Sequence, residues 1–318
     1  MRVAVVGAGV IGSAAAWALA RDGHDVTVLE QFELEHERGS SHGRTRIFRL
    51  AYTDPHWVEL ARDALAAWRE LEAESGEQLL QLVGLLEVVA DLGQSSRDAL
   101  ERCGVRWEEA DATRYDVAVP DGWTALLQPD AGIVRADLAR RALLRDVDVQ
   151  TGARVERLDD LDADLVVVAA GPWARKLLAP VGIDLPVRET RETVAYFRLD
   201  REFPVVVDRD VHGHLTYGLP DPMHGLKAGA HMTGREADPD EPAAPDQATV
   251  EQIAAWVAER FPAADPAPVA TDTCFYTTTA DESFVLERHG RIVVASACSG
   301  HGFKFAPVVG RRVAALVA

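Results

Sequence analysis

The sequence predicts an α/β protein in which a parallel-sheet, dinucleotide-binding domain is interleaved with a mixed-sheet α+β substrate domain. Three observations carry this. Residues 1–30 read as strand, glycine turn, helix and strand. A second apolar strand, in ADLVVVAAGPWARKLL at 163–178, ends in Ala-Ala-Gly-Pro and runs into a helix, as a strand meeting a dinucleotide would. Between 185 and 276 the pattern becomes that of antiparallel strands.

The chain has 318 residues, enough for one large domain or two intertwined ones. With 47% apolar and 26% charged residues it is neither disordered nor collagen-like. Acidic residues outnumber basic ones, 51 to 33, for a net charge of −18. Its far field therefore repels nucleic acid and anionic membranes, and an anionic ligand must be captured by local cations. Cys103, Cys274 and Cys298 have no paired spacing, which fits a reducing compartment such as the cytoplasm and argues against disulfides or structural zinc.

The first element is RVAVVGAGVIGSAAAWALARDGHDVTVLE. Gly7, Gly9 and Gly12 form GxGxxG: a tight turn, a close backbone approach to a pyrophosphate, and close helix-on-strand packing. Glu30 then ends the second strand, where a carboxylate can accept hydrogen bonds from ribose hydroxyls. The unit is Rossmann-like and points to an adenine dinucleotide without choosing between NAD and FAD. The same run has the basic residue, apolar stretch and small residues of a secretory leader. Glycines interrupt it at fixed spacing, however, and a charged turn and second strand follow, so a folded strand and helix are expected. No apolar run is long enough to span a membrane without charge.

Next, GSSHGRTRIFRLAY at 39–52 sets Arg46 and Arg49 three apart, either as an anion clamp or as the solvated basic start of a helix. Residues 54–76 carry a helical period in Trp57, Leu60, Ala61, Leu65 and Trp68. LLQLVGLLEVVA and VRWEE read as strands, IVRADLARRALL as a helix, and Cys103 as an ordinary buried thiol. LPVRETRETVAYFRL, FPVVV, HGHLTYGLP, GLKAGAHMTG and CFYTTT read as antiparallel strands, and DPDEPAAPDQ as an acidic, proline-rich surface loop. His212 and His214 would share a strand face, but no ligand-spaced partner accompanies them. They read as a hairpin surface, and no metal is expected.

RIVVASAC reads as a buried strand with Cys298 in its core, and APVVGRRVAALVA as the terminal helix. Between them SGHGFKF places Lys304 in a strand-to-helix turn, where α/β sheets gather ligands; a lysine lying over two core aromatics is the bland alternative. The dinucleotide domain is thus expected at 1–77, 134–182 and 280–318, and the substrate domain at 78–133 and 183–279.

Taken in order, GSSHGRTRIFRLAY, TYGLP, GLKAGAH, CFYTTT and SGHGFKF resemble monomeric sarcosine oxidase and N-methyltryptophan oxidase, a family among the D-amino-acid-oxidase-like flavoproteins. The resemblance covers nearly the whole chain. It implies FAD rather than NAD at Gly7, Gly9, Gly12 and Glu30, with Ser40, Ser41, Thr45, Gly300, Gly302 and Lys304 also at the cofactor and Cys274 carrying it through a thioether. Arg49 and Lys304 match a two-cation clamp for the substrate carboxylate, and Lys227 a lysine beside the flavin that activates oxygen. His231, Tyr217 and Tyr276 match substrate-site residues, and His42 and Arg46 residues close to the flavin ring.

The implied activity is oxidation of a secondary or N-methylated amino acid, by hydride transfer from the carbon next to nitrogen, with dioxygen yielding hydrogen peroxide. The implied partners are the small-molecule amino acid and dioxygen, with no nucleic acid or membrane, and a monomer is expected. Leu50 stands where the relatives have histidine and Arg44 where they have an acid; a hairpin between 147 and 168 and a C-terminal extension are absent. A flavin oxidase or dehydrogenase of a cyclic imino acid or a biosynthetic intermediate is the alternative. A non-catalytic dinucleotide sensor is the alternative from another class, but it would need neither the clamp nor Lys227.

Overall fold

The computed structural model describes residues 1–210, 212, 214–242 and 244–318. One layer is a six-stranded sheet in the order Val285–His289, Ile292–Ser296, Leu165–Val168, Arg2–Val6, Asp25–Leu29 and Asp148–Gln150. All its pairings are parallel except that of the edge strand Val285–His289. The central strands are β-branched runs because both faces are covered. Val3, Val5, Val167 and Val293 pack into one apolar cluster, and their alternates Ala4, Val6, Val166 and Val294 into another on the opposite face. On the first face the helix Val10–Arg21 lies against the terminal helix Ala306–Val317. A side chain at Gly310 would clash with the Ala14 carbonyl, so glycine permits this approach.

The helix Pro55–Ser75 begins where the sequence predicts it. Asp54 accepts the His56 N–H at 2.8 Å, Pro55 occupies the first turn, and Gly76 closes the helix at φ +75°. Its apolar stripe, from Val58 and Leu60 to Trp68 and Leu71, packs into the same cluster as the first and last helices.

The second layer is a nine-stranded sheet. Its path runs Arg235–Glu236, Arg188–Arg198, Gly225–Ala230, Leu215–Asp221, Val205–Arg209, Leu85–Val89, Thr124–Gln128 and Glu108–Glu109, with Ala270–Thr278 on the other edge of Arg188–Arg198. The helix Gln247–Arg260 covers one face through Ile253, Trp256 and Val257, against Phe197, Leu226 and Ala228. A three-stranded sheet, Thr45–Phe48, Gly132–Arg135 and Leu80–Gln81, completes the fold.

Several local expectations are corrected. IVRADLARRALL is not one helix: Gly132–Arg135 forms a strand and the helix spans Ala136–Leu144, because β-branched Ile133 and Val134 pair with Ile47, Arg46 and their neighbours. LLQLVGLLEVVA is split by Gly84, at φ +84°, into strands of two different sheets. Only Glu108–Glu109 of VRWEE is a strand, at the sheet edge. Arg46 lies in a strand rather than at a helix start. His212 and His214 lie in no strand, so they share no strand face, although they do lie on the connection of a hairpin, between Val205–Arg209 and Leu215–Asp221, where Asp210 accepts both of their backbone N–H groups; Val211 and Gly213 lie outside the described residues. Cys103 is only partly buried. The acidic loop is largely exposed, as expected, and it also makes contacts: Asp246 caps the helix that follows, and Asp240 reaches back to Trp173 and Lys176. Among the described residues no helix is long and apolar enough to cross a membrane, and no cluster of side chains could hold a metal ion.

Candidate active site

The carboxyl ends of the parallel strands open into a cleft that continues beneath the large sheet. At its near end the glycine turn is sterically obligatory. A Cβ on Gly7, whose φ is +103°, would come within 2.6 Å of the Ala169 carbonyl oxygen, and one on Gly12 would clash with the Gly7 carbonyl. Buried Glu30 braces this turn, its Oε2 accepting from Ala8 N at 2.8 Å and its Oε1 from Phe32 N at 3.1 Å. Ser41 Oγ accepts from Val10 N at 2.9 Å, at the start of the first helix, and Ser40 Oγ donates to the Phe275 carbonyl of the large sheet at 2.5 Å. The GSSHG loop therefore joins the two layers.

Arg46 organises that loop. Its guanidinium donates to the carbonyls of Thr45, Ser40 and His42 at 2.9, 2.8 and 2.6 Å, which commits the fork to its own loop and leaves its charge beside the cleft. His42 Nε2 donates to Asp272 Oδ2 at 2.9 Å. Burial opposes ionisation of Asp272, but this hydrogen bond and the charges of His42 and Lys227 outweigh it and hold the carboxyl below its usual range.

At the far end, Lys227 and Lys304 are 7% and 5% exposed. Lys227 Nζ has no hydrogen-bond or ion-pair partner among the described residues and lies 5.7 Å from the Tyr196 ring centre. Burial, then the charge of Arg46, depress it to about 7. Lys304 Nζ donates to Tyr52 Oη at 3.0 Å and to the His301 carbonyl at 2.8 Å; burial, then Arg49, push it well below the usual lysine range. Arg49 donates to the Ala51 carbonyl at 2.8 Å and lies 4.3 Å over the Tyr52 ring. No carboxylate is within ion-pair distance of Arg46, Arg49, Lys227 or Lys304 among the described residues, in a chain of net charge −18.

His231 Nδ1 and Tyr276 Oη are 3.4 Å apart. Burial, followed by Arg49 and Lys304, lowers His231 to about 4, so its ring is neutral at physiological pH. Burial raises the phenols of Tyr217 and Tyr276 above their ordinary range, and the Cys274 thiol to about 11. Gly300 lets the SGHG turn press close: a Cβ there would be 2.6 Å from His231 Cε1.

All the residues that the sequence marks for cofactor or substrate are thus gathered at the glycine turn or along this one cleft. Cys298 is a correction: it lies beyond the strand Ile292–Ser296, is partly exposed, and lines the cleft beside Cys274. Sequence reasoning missed Tyr52, Asp272, Arg140 and Trp173. Asp272 had a signal, since it lies two residues before Cys274 and shares its strand face. Arg140 and Trp173 reach the cleft from a helix and a turn with no motif to mark them.

Two buried polar atoms bordering the cleft, His42 Nδ1 and Thr45 Oγ1, have no hydrogen-bond partner among the described residues. Buried polar groups are ordinarily paired, so these two atoms offer hydrogen-bonding positions to a polar ligand. With the glycine turn and the braced carboxylate, this fits a bound dinucleotide.

Over residues 2–316 the sequence matches the family of FAD-dependent oxidoreductases denoted DAO. The chain belongs to that family. Among its relatives, the human peroxisomal sarcosine oxidase is 33% identical, with 96% of this chain and 89% of that protein covered. The monomeric sarcosine oxidase of Bacillus sp. (strain B-0618) is 30% identical, over 99% of this chain and 91% of its own. The solved structure of NikD, described as an unusual amino acid oxidase essential for nikkomycin biosynthesis, superposes with a TM-score of 0.88 at 28% identity, covering 99% of this chain and 93% of that one. The mixed α/β architecture and the FAD dependence of this DAO-family member follow from these likenesses.

The depressed Lys227 has a consequence for stability. Below about pH 7 both folded and unfolded chains carry the charge, and the folded state bears the full desolvation cost. Between pH 7 and the ordinary lysine range only the unfolded chain binds the proton, so this cost fades as pH rises. Lys227→Met should therefore stabilise the flavin-free protein most at pH 7 and below, with the gain shrinking toward pH 10 in denaturant titrations. A gain independent of pH would contradict the burial of a charged Lys227.

Proposed function

We propose that this DAO-family member oxidises a secondary or N-methylated amino acid, with dioxygen as acceptor and hydrogen peroxide as product. The observation that carries this reading is the pair Arg49 and Lys304, without carboxylate partners, in a cleft whose other end is a glycine cradle for a dinucleotide. Gly7, Gly9, Gly12, Glu30, Ser40, Ser41, Thr45, Gly300 and Gly302 would hold FAD, and Cys274 would bind it covalently. Bound FAD would supply the two-electron acceptor for the amine and pass those electrons to dioxygen.

The chain's own residues do the rest. Arg49 offers a planar fork and Lys304 a point charge to the substrate carboxylate, each contact contributing about 1.5–3 kcal/mol. An anion held at two points also fixes the direction of the C–H bond that must break. His231, Tyr217 and Tyr276, all neutral, present hydrogen-bonding atoms to the amine without a fixed negative charge. Lys227 places an unpaired ammonium where negative charge develops on dioxygen. Ile47, Val207, Leu215 and Leu219 give the cleft an apolar wall, which favours a cyclic imino acid as the second reading.

Anaerobic bleaching of the flavin by a panel of N-methyl and cyclic amino acids tests the substrate class; no bleaching by any carboxylate-bearing amine would overturn it. Lys227→Met should leave that bleaching largely intact while slowing reoxidation by dioxygen by orders of magnitude, at about 1.4 kcal/mol per tenfold. Wild-type reoxidation in this variant would remove Lys227 from the oxygen step.

The covalent link is checked separately. Attachment requires a thiolate, which burial disfavours at Cys274 and the neighbouring Arg46 and Lys227 favour. Acid-precipitated protein should stay yellow and Cys274→Ser should release its colour; a yellow precipitate from Cys274→Ser would move the link to another residue, with Cys298 the neighbour in the cleft.

A further inference from the structure

Tyr52, buried just after the arginine-bearing strand, touches both cations of the clamp through different parts of one side chain. Its ring face lies under Arg49, with the guanidinium carbon 4.3 Å from the ring centre, a cation–π distance. Its hydroxyl takes the Lys304 ammonium at 3.0 Å. On its other side, Tyr52 Oη is 3.2 Å from His301 Nδ1, and His301 Nε2 is 3.2 Å from the Glu282 carbonyl oxygen.

With Lys304 as its ammonium, the form that a bound carboxylate holds, the donors and acceptors of this hydrogen-bonded series can be arranged in one way. The ammonium nitrogen can only donate, so Tyr52 Oη accepts from Lys304 and its own hydrogen is free. That hydrogen goes to His301 Nδ1, which must be the unprotonated ring nitrogen. The proton on Nε2 then goes to the Glu282 carbonyl, which can only accept. Burial raises Tyr52 to about 12, and burial together with the charge of Lys304 lowers His301 to about 3, so both groups keep these roles across the physiological range. The charged and titratable groups around the pair are Arg49, Lys304, Glu282 and His231.

The geometry is also held from outside. Trp57, Phe284 and Phe305 surround the His301 ring at centroid distances of 4.6, 5.2 and 5.7 Å. Glu282, whose carbonyl ends the chain, adopts φ +61°, an unusual conformation for a residue with a side chain. Trp68 Nε1 donates to the Lys304 carbonyl at 2.7 Å and fixes the main chain beneath the ammonium. Of the three N–H donors of the Lys304 ammonium, Tyr52 and the His301 carbonyl use two. One is left for a ligand.

We propose that Tyr52 is a positioning residue that sets Arg49 and Lys304 as one unit for the substrate carboxylate, and that His301 orients its hydroxyl so that the last Lys304 N–H faces the ligand. This rests on the function proposed above. The hub is distinct from the clamp, because Tyr52 need not touch the substrate.

The test uses flavin-loaded protein, titrated with propionate and followed by flavin absorbance, alongside steady-state kinetics on whichever amino acid bleaches the wild type. Tyr52→Phe keeps the face under Arg49 and removes only the hydroxyl. It should raise the propionate Kd and the substrate KM together by about tenfold, the size of one charge-assisted hydrogen bond, while kcat, the flavin spectrum and the melting temperature stay near wild type. Tyr52→Leu should raise both further, since the Arg49 stack is lost as well. If Tyr52→Phe does not load flavin, His301→Gln decides on the same readouts, with the same parallel rise in Kd and KM expected. A wild-type Kd for propionate in the decisive variant overturns the hub, as does a loss confined to kcat. Failure of the wild type itself to bind propionate or oxidise any amino acid overturns the clamp instead, and separates the two claims.

Discussion

Two lysines, Lys227 and Lys304, are buried with no carboxylate at ion-pair distance among the described residues, in a chain whose net charge is −18, and the architecture around them makes sense as the means of keeping them there. Desolvation of a lysine costs several kcal/mol unless something negative or strongly dipolar compensates. Here the compensation inside the protein is partial: neutral oxygens of Tyr52 and His301 for Lys304, an aromatic face for Lys227. Acidic residues are plentiful, yet those near the site are committed elsewhere, Asp272 to His42, Glu192 to the Thr233 and Gly234 amides, and Glu87 to the Ser96 amide and hydroxyl. The cleft is thereby left positive, and open to an anion from outside.

The large sheet supplies the platform. Because alternate residues share a face, Asp272, Cys274 and Tyr276 line up along one strand, Lys227 and Gly229 along another, and Leu215, Tyr217 and Leu219 along a third. The register places Tyr217 opposite Gly229, where a Cβ would come 2.6 Å from the Tyr217 hydroxyl. A glycine in the strand interior is normally a weakness; in this one it makes room for a phenol that lines the cleft. The parallel sheet contributes backbone in the same way, presenting the glycine turn and the ends of its strands rather than side chains.

Local signals were legible where a residue's role is set by its own neighbours in the chain. The glycine spacing, the Asp54 and Gly76 ends of a long helix, and the position of Lys304 in a strand-to-helix turn all read directly from the sequence. The gathering of Arg46, Arg49, Lys227, His231, Cys274 and Lys304 came from likeness to a family, not from periodicity. What neither source showed was support from far along the chain. Tyr52 meets residues 249 and 252 positions away, and Asp272 meets His42 across 230. Cys298 was misread because a β-branched run does not reveal where its strand ends, and the last residues of RIVVASAC leave the sheet to line the cleft.

The central claim is that the unpaired cations are completed by a ligand carboxylate. Lys304, pushed well below its usual range while the site is unliganded, should regain its full charge when an anion arrives. Calorimetric titration of the flavin-loaded protein with acetate, in buffers of different ionisation enthalpy, measures this directly. Net proton uptake on binding, growing as the pH is raised, with acetamide binding far more weakly, is the predicted result. Equal affinity for acetate and acetamide with no proton exchanged would contradict it.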